Sequence, residues 1–225
     1  MNRDRFFIEN EGEHLMPIKK AIEYVVNENE TNSGNDIIYL VILTEEFRRN
    51  LWDIGLINSQ TTKTFQINRF SFEIITLNQI LKKISLENTI VISVWIDNEN
   101  LFKIEEIVGL KTIIGIPWIK TSLDLWTNTF GPFEIESRQR LAYKTITDEK
   151  LRLSFDNLTR DVINWTTLHS NDISTIKHII KNNKQVVDPL EIFTYLRREK
   201  KLNYKRCMEI MEWSRDLIDG KRVKI

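Results

Sequence analysis

The apolar positions change period along the chain, and the change divides it in two. Up to about residue 142, β-branched apolar runs alternate with segments of helical period. "MPIKKAIEYVVNE" sets Ile18, Ile22 and Val25 or Val26 on one helical face, with Pro17 suited to a first turn. "NETNSGND" reads as a loop by composition. "DIIYLVIL" is a near-continuous apolar run of the kind buried on both faces of a sheet. "FSFEIITL" predicts a second strand, followed by a helical "NQILKKI", and "NTIVISVWI" a third strand. "ENLFKIEEIVG" reads as a helix with Leu101, Ile104, Ile107 and Val108 on one face and Gly109 as its stop. "KTIIGIPW" is a fourth strand ended by Pro117, and "TSLDLWTNTFG" the helix after it. Strands separated by short helices predict βαβ units with right-handed crossovers. The expected fold class is therefore α/β, a mostly parallel sheet in three layers.

Near residue 132 the pattern loses its period, and from about Asp148 every segment reads as helix. "DEKLRLSFDNLTRDVINW" carries Leu151, Phe155, Leu158 and Val162 at helical spacing, and "NDISTIKHIIKN" carries Ile173, Ile176, Ile179 and Ile180. "DPLEIFTYLRREK" opens with Asp188 as cap, Pro189 at the first position and Glu191 three residues after the cap. "NYKRCMEIMEWSRDLIDG" runs from Asn203 as cap to Gly220 as stop. These signals predict an α/β sheet domain over 1–142 and a smaller all-helical domain over 143–225.

Composition narrows the setting. The chain has 225 residues, 41% of them hydrophobic, with a mean hydropathy of −0.31 and only seven Gly and four Pro, so a soluble chain with a sizeable core is expected. Cys207 is the sole cysteine, which excludes an intramolecular disulfide. The segment "MNRDRFFIENEGEHL" lacks an apolar core of signal-peptide length, and no run reaches the ~18 apolar residues of a membrane span. A cytoplasmic location and no membrane partner are expected. Net charge is zero, yet residues 1–142 hold 15 basic and 20 acidic side chains, and residues 143–225 hold 17 and 12. The deficit of five and the surplus of five could steer a polyanion to the C-terminal part or dock the two parts on each other.

The motifs of several enzyme classes are missing. No G-x-G-x-x-G, Walker A loop or G-x-S-x-G elbow is present, and one Cys with His14, His169 and His178 cannot make a conventional zinc site. Ligands of parallel sheets bind beyond the carboxyl ends of the strands. The residues there are Glu45 and Glu46, then Asp97, Asn98 and Glu99, then Trp118. The two acidic clusters could hold Mg²⁺ beside a phosphorylated ligand. The plainer reading makes Asp97 or Asn98 a helix cap and Trp118 a packed aromatic. No cofactor is expected. His169 beside "HSND" could move a proton but has no nucleophile near it in sequence.

The densest charge lies in "YLRREKKLNYKRC", where Arg197, Arg198, Lys200, Lys201, Lys205 and Arg206 surround one acid, Glu199. Arg197 and Arg198 fall in the last turn of a helix, where the dipole favours cations. Lys205 and Arg206 fall in the first turn of the next, where it opposes them. Two helices joined by a basic turn could contact phosphates, although the second lacks a row of base-reading Arg, Asn and Gln. A solvated turn and docking to an acidic protein surface are the competing readings.

"LKTIIGIPWIKTSLDLWTNTFGP" resembles a strand–Pro–Trp–helix segment of uncharacterised bacterial proteins. "NLTRDVINWTTLHSNDISTIKHII", followed by "DPLEIFTYLRREKKLNYKRCMEIMEWSRDLIDGKRVK", is similar to their helical tail. The resemblance implies the two-part architecture and no activity. Three readings stay open. The first is a non-enzymatic binding or regulatory protein whose basic helical part meets nucleic acid or an acidic partner. The second is an enzyme handling a small or nucleotide-like ligand at the strand ends. The third is an interaction subunit of a larger bacterial assembly.

Overall fold

The computed structural model describes residues 3–10, 15–28, 37–83, 85–161 and 170–223. The chain divides into two compact units, residues 1–127 with 131–141, and residues 128–130 with 142–225. In the first unit the elements run β1 (Asp4–Phe7), α1 (Leu15–Glu28), β2 (Ile37–Ile42), α2 (Phe47–Asp53), β3 (Thr64–Ile67), β4 (Phe70–Thr76) and α3 (Leu77–Ile80). They continue with β5 (Ser85–Val94), α4 (Asn98–Glu105), β6 (Val108–Ile116), α5 (Asp124–Phe130), β7 (Phe133–Glu134) and β8 (Gln139–Arg140), α5 ending in the second unit.

The eight strands form one sheet in the order β3-β4-β2-β5-β6-β1-β7-β8. Every pairing is parallel except β3 with β4 and β7 with β8, so the sheet is mixed and mostly parallel, an α/β fold. The four strands read from apolar runs are β2, β4, β5 and β6, and they are adjacent. Their two faces bury different neighbours. Ile38, Leu40, Ile42, Phe72, Ile74, Ile90, Ile92, Ile114 and Ile116 join Ile18, Ile22 and Val25 of α1 and Leu51 of α2 in one cluster. On the other face Gly115 of β6 lies so close to α5 that an added Cβ would meet Leu123 Cδ1 at 3.1 Å and Trp126 Cζ3 at 3.3 Å. Helices thus cover both faces, which is why the carboxyl-terminal halves of these strands are buried on both sides.

Strands β1, β3, β7 and β8 and helix α2 were not evident from periodicity. Strand β1 carries Asp4 and Arg5 and pairs with β6 on one side and β7 on the other. It is anchored by charge. Arg3 and Arg5 both reach Glu105 at the end of α4, at 2.7 and 2.8 Å, and Arg3 also donates to the carbonyls of Glu105, Ile107 and Leu110. Trp126 Nε1 donates to the same carboxylate at 3.0 Å. Burial alone raises the Glu105 pKa, but Arg5, Arg3 and the indole outweigh it and hold the carboxyl below its ordinary range.

Two helix ends differ from expectation. Gly109 does not stop α4 but lies inside β6 at φ 86°, where β5 and β6 shift register and a Cβ would meet Glu87 N at 3.1 Å. The helix expected over "NQILKKI" is the single turn α3, started by a Thr76–Gln79 capping box.

The described elements of the second unit, beyond the end of α5, are α6 (Glu149–Asp161), α7 (Ser170–Asn182), α8 (Pro189–Arg198) and α9 (Tyr204–Ile218). Leu151, Phe155, Ile176, Ile180, Ile192, Phe193, Leu196, Cys207 and Ile210 are fully buried. Asp188 caps α8 and Asn203 caps α9 as their sequences predict. The loop "NETNSGND", Val162, His14 and His169 lie outside the described residues. Among the described residues no helix is long and apolar enough to cross a membrane.

Candidate functional site

Strand order sets one candidate site. From β2 the chain leaves through α2 toward β4, and from β5 it leaves through α4 toward β6, on the opposite side. The carboxyl ends of β2 and β5 therefore flank the switch point where α/β sheets open a crevice. Here aromatic rings pack over it. Trp95 and Trp118 meet edge to face at 5.0 Å, and Phe47 lies 6.3 Å from each. Trp95 adopts φ 57°, and its amide donates to Ile116 O at 2.8 Å, which turns the indole over the strand ends. Buried Asn10 donates to the carbonyls of Pro117 and Trp118, at 3.0 and 3.1 Å, and fixes that loop. Trp118 remains 42% exposed, so the outermost ring of the cluster meets solvent.

The acidic residues at this edge hold the protein to itself. Asp97 caps α4 by accepting from Asn100 N at 2.9 Å. Asn98 accepts from Trp126 N at 2.8 Å and ties α4 to α5. Glu99 pairs with Lys103 at 2.8 Å, one turn on. Glu45 pairs with Arg48 at 2.9 Å, while Glu46 occupies the cap position of α2 without a side-chain capping bond. Among the described residues no three His, Cys, Asp or Glu side chains converge as metal ligands.

The basic turn between α8 and α9 is the second candidate. Arg197 is buried, and its Nη1 donates to Leu202 O at 3.2 Å across the turn. The chain reverses at Lys201, whose φ of 59° is left-handed, and Leu202 N closes the loop onto Leu196 O at 3.1 Å. Arg198 stacks on the Tyr143 ring, 3.4 Å from its centroid. Lys200 pairs with Asp156 of α6, which also accepts from the Tyr195 hydroxyl and pairs with Arg152. The Lys200 hydrogen bond, then that of Tyr195, holds the Asp156 carboxyl below its ordinary range. Burial, with the Asp156 bond, raises the Tyr195 phenol. Arg206 pairs with Glu209 on its own helix. Lys201 and Lys205 are exposed to solvent, Lys205 on the first turn of α9.

One further cationic group escaped the sequence reading. Lys177 and Lys181 of α7, Lys184 just after it, and Lys221 and Arg222 after α9 line a common cleft of about 330 Å³. The spacing 177, 181, 184 is a helical stripe visible in the sequence. Its other wall comes from residues some forty positions later, which periodicity does not link.

The chain has no match among protein-family models, curated proteins or solved structures.

Proposed function

We propose that the protein is a non-enzymatic, cytoplasmic binding or regulatory protein whose smaller helical domain, residues 143–225, contacts nucleic acid through its phosphates. One observation carries this reading. Six of the twelve acids of residues 143–225 are engaged in ion pairs within the unit, while a set of its cations is exposed. Asp156, Asp188, Glu199, Glu209, Asp216 and Asp219 all sit in ion pairs within the unit. Lys181, Lys184, Lys201, Lys205 and Arg222 face solvent. Local stability gives no reason for Lys205, because a cation on the first turn of a helix faces the positive end of its dipole.

These exposed cations are mostly lysines. Lysine meets phosphate as a point charge and does not impose the paired geometry of an arginine fork on a carboxylate. That favours a phosphate backbone over an acidic protein surface. The lack of base-reading side chains makes the contact indifferent to sequence. The aromatic packing over the switch point supports a binding protein over an enzyme with a polar pocket at the strand ends.

The test is the double reversal Lys201→Glu/Lys205→Glu. It should weaken binding to a short oligonucleotide by at least about tenfold at low salt. Melting should move little, since exposed substitutions change stability by about 0.5 kcal/mol or less. Unchanged affinity in the variant would remove the turn from the interface. Absence of binding by the native chain at low salt would defeat the reading.

A further inference from the structure

The cleft between α7 and the end of α9 is built by two local devices. On α7, Lys177 and Lys181 stand one helical turn apart and share a face, and Lys184 follows in the next turn. On α9, Gly220 takes φ 77°, Gly220 N donates to Leu217 O at 3.3 Å, and Lys221 N donates to Asp216 O at 2.8 Å. These two bonds are a Schellman motif, with glycine at its left-handed position. The motif ends the helix and fixes where Lys221 and Arg222 emerge.

The charges of this cleft are not balanced. Lys221 pairs with Asp216 and Asp219, at 3.3 and 3.1 Å. Lys177, Lys181, Lys184 and Arg222 form no ion pair among the described residues. Lys181 lies in the last turn of α7, where the dipole favours it. Lys177 has no such account. Its Nζ is shielded from solvent with no hydrogen-bond acceptor, although it lies 5.1 Å from the centre of the Trp213 ring. Burial, and then Lys181, lowers its pKa. A shielded ammonium without an acceptor is costly, and the charge of an anion in the cleft beside it offsets part of that cost.

We propose that this cleft binds a phosphate monoester or pyrophosphate group, held by Lys181, Lys184 and Arg222 with the charge of Lys177 behind them. A monoester carries about −1.5 to −2 charges and three acceptor oxygens, which suits four unbalanced cations better than the single charge of a phosphodiester. About 330 Å³ is the low end of ligand-pocket size and accommodates such a group. The group can belong to a free phosphorylated small molecule or to the terminal phosphate of a nucleic acid. The second source rests on the reading of the helical domain given above; the first does not.

The experiment uses the full chain at low salt with two probes. Inorganic pyrophosphate is titrated by calorimetry, and a 5′-phosphorylated oligonucleotide is compared with its 5′-hydroxyl twin by anisotropy. Pyrophosphate should bind, and Lys181→Glu/Lys184→Glu, both exposed positions, should weaken it at least tenfold while lowering the melting temperature by only the few degrees that a reversed charge in the last turn of α7 costs. Lys201→Glu/Lys205→Glu should leave pyrophosphate binding intact, which separates this site from the α8–α9 turn. A tighter 5′-phosphorylated oligonucleotide, with the advantage lost in Lys181→Glu/Lys184→Glu, identifies a terminal phosphate as the source. Equal oligonucleotide affinities with pyrophosphate binding identify a free small molecule and still uphold the cleft, even if no nucleic acid binds. No response to pyrophosphate or to the terminal phosphate overturns the proposal, as does undiminished binding in Lys181→Glu/Lys184→Glu.

Discussion

Single residues carry the sharpest consequences. Glu105 is the shared partner of Arg3, Arg5 and the Trp126 indole. Removing one member of a buried ionic group costs about 3–5 kcal/mol, so Glu105→Gln should destabilise the α/β unit by about 3 kcal/mol in urea unfolding. The pH dependence follows from the depressed pKa. The stabilisation is complete above the unfolded-state value, about 4.3 for glutamate, and is lost as pH falls through the lower folded value. Acid unfolding of Glu105→Gln should therefore be shallower than that of the native chain; an unchanged slope would show that Glu105 is not the titrating group. Lys177 predicts the opposite sign. Its ammonium is shielded and lacks an acceptor, so Lys177→Met should raise the melting temperature by an amount worth up to about 1 kcal/mol while weakening pyrophosphate. Loss of stability would mean that the Trp213 contact outweighs desolvation.

At the scale of elements, two glycines hold geometry that no other residue fits. Gly115→Val in β6 places a side chain against Leu123 and Trp126 and should cost about 1–3 kcal/mol by overpacking. Gly220→Ala meets no atom within 4 Å, yet it strains the left-handed turn by about 1–2 kcal/mol, and the melting temperature should fall accordingly. Phosphate affinity should fall with it, because the turn aims Lys221 and Arg222. How much was legible in sequence varies by element. β2, β4, β5 and β6 were readable because their carboxyl halves are apolar runs buried on both faces. β1 was not, because Asp4 and Arg5 interrupt its apolar pattern and its anchor, Glu105, lies a hundred residues away. Strands β7 and β8 have two residues each, too few for a period. The basic turn was readable as charge, but the internal use of Lys200 and Arg198 was not. Their partners, Asp156 and Tyr143, lie on other segments.

The chain joins a mostly parallel sheet, with aromatic rings packed at its switch point, to a C-terminal part with a surplus of five positive charges over residues 143–225. An uneven charge distribution of this kind steers polyanions. The measurement that tests it most directly is a fluorescence-anisotropy titration of the full chain against short single- and double-stranded DNA and RNA across a series of salt concentrations. Two to four phosphate contacts predict a slope of log affinity against log salt of about −2 to −4 on duplex DNA. Lys201→Glu/Lys205→Glu should flatten that slope. A native chain that binds none of these nucleic acids at low salt, or binds them with no salt dependence, would contradict the account.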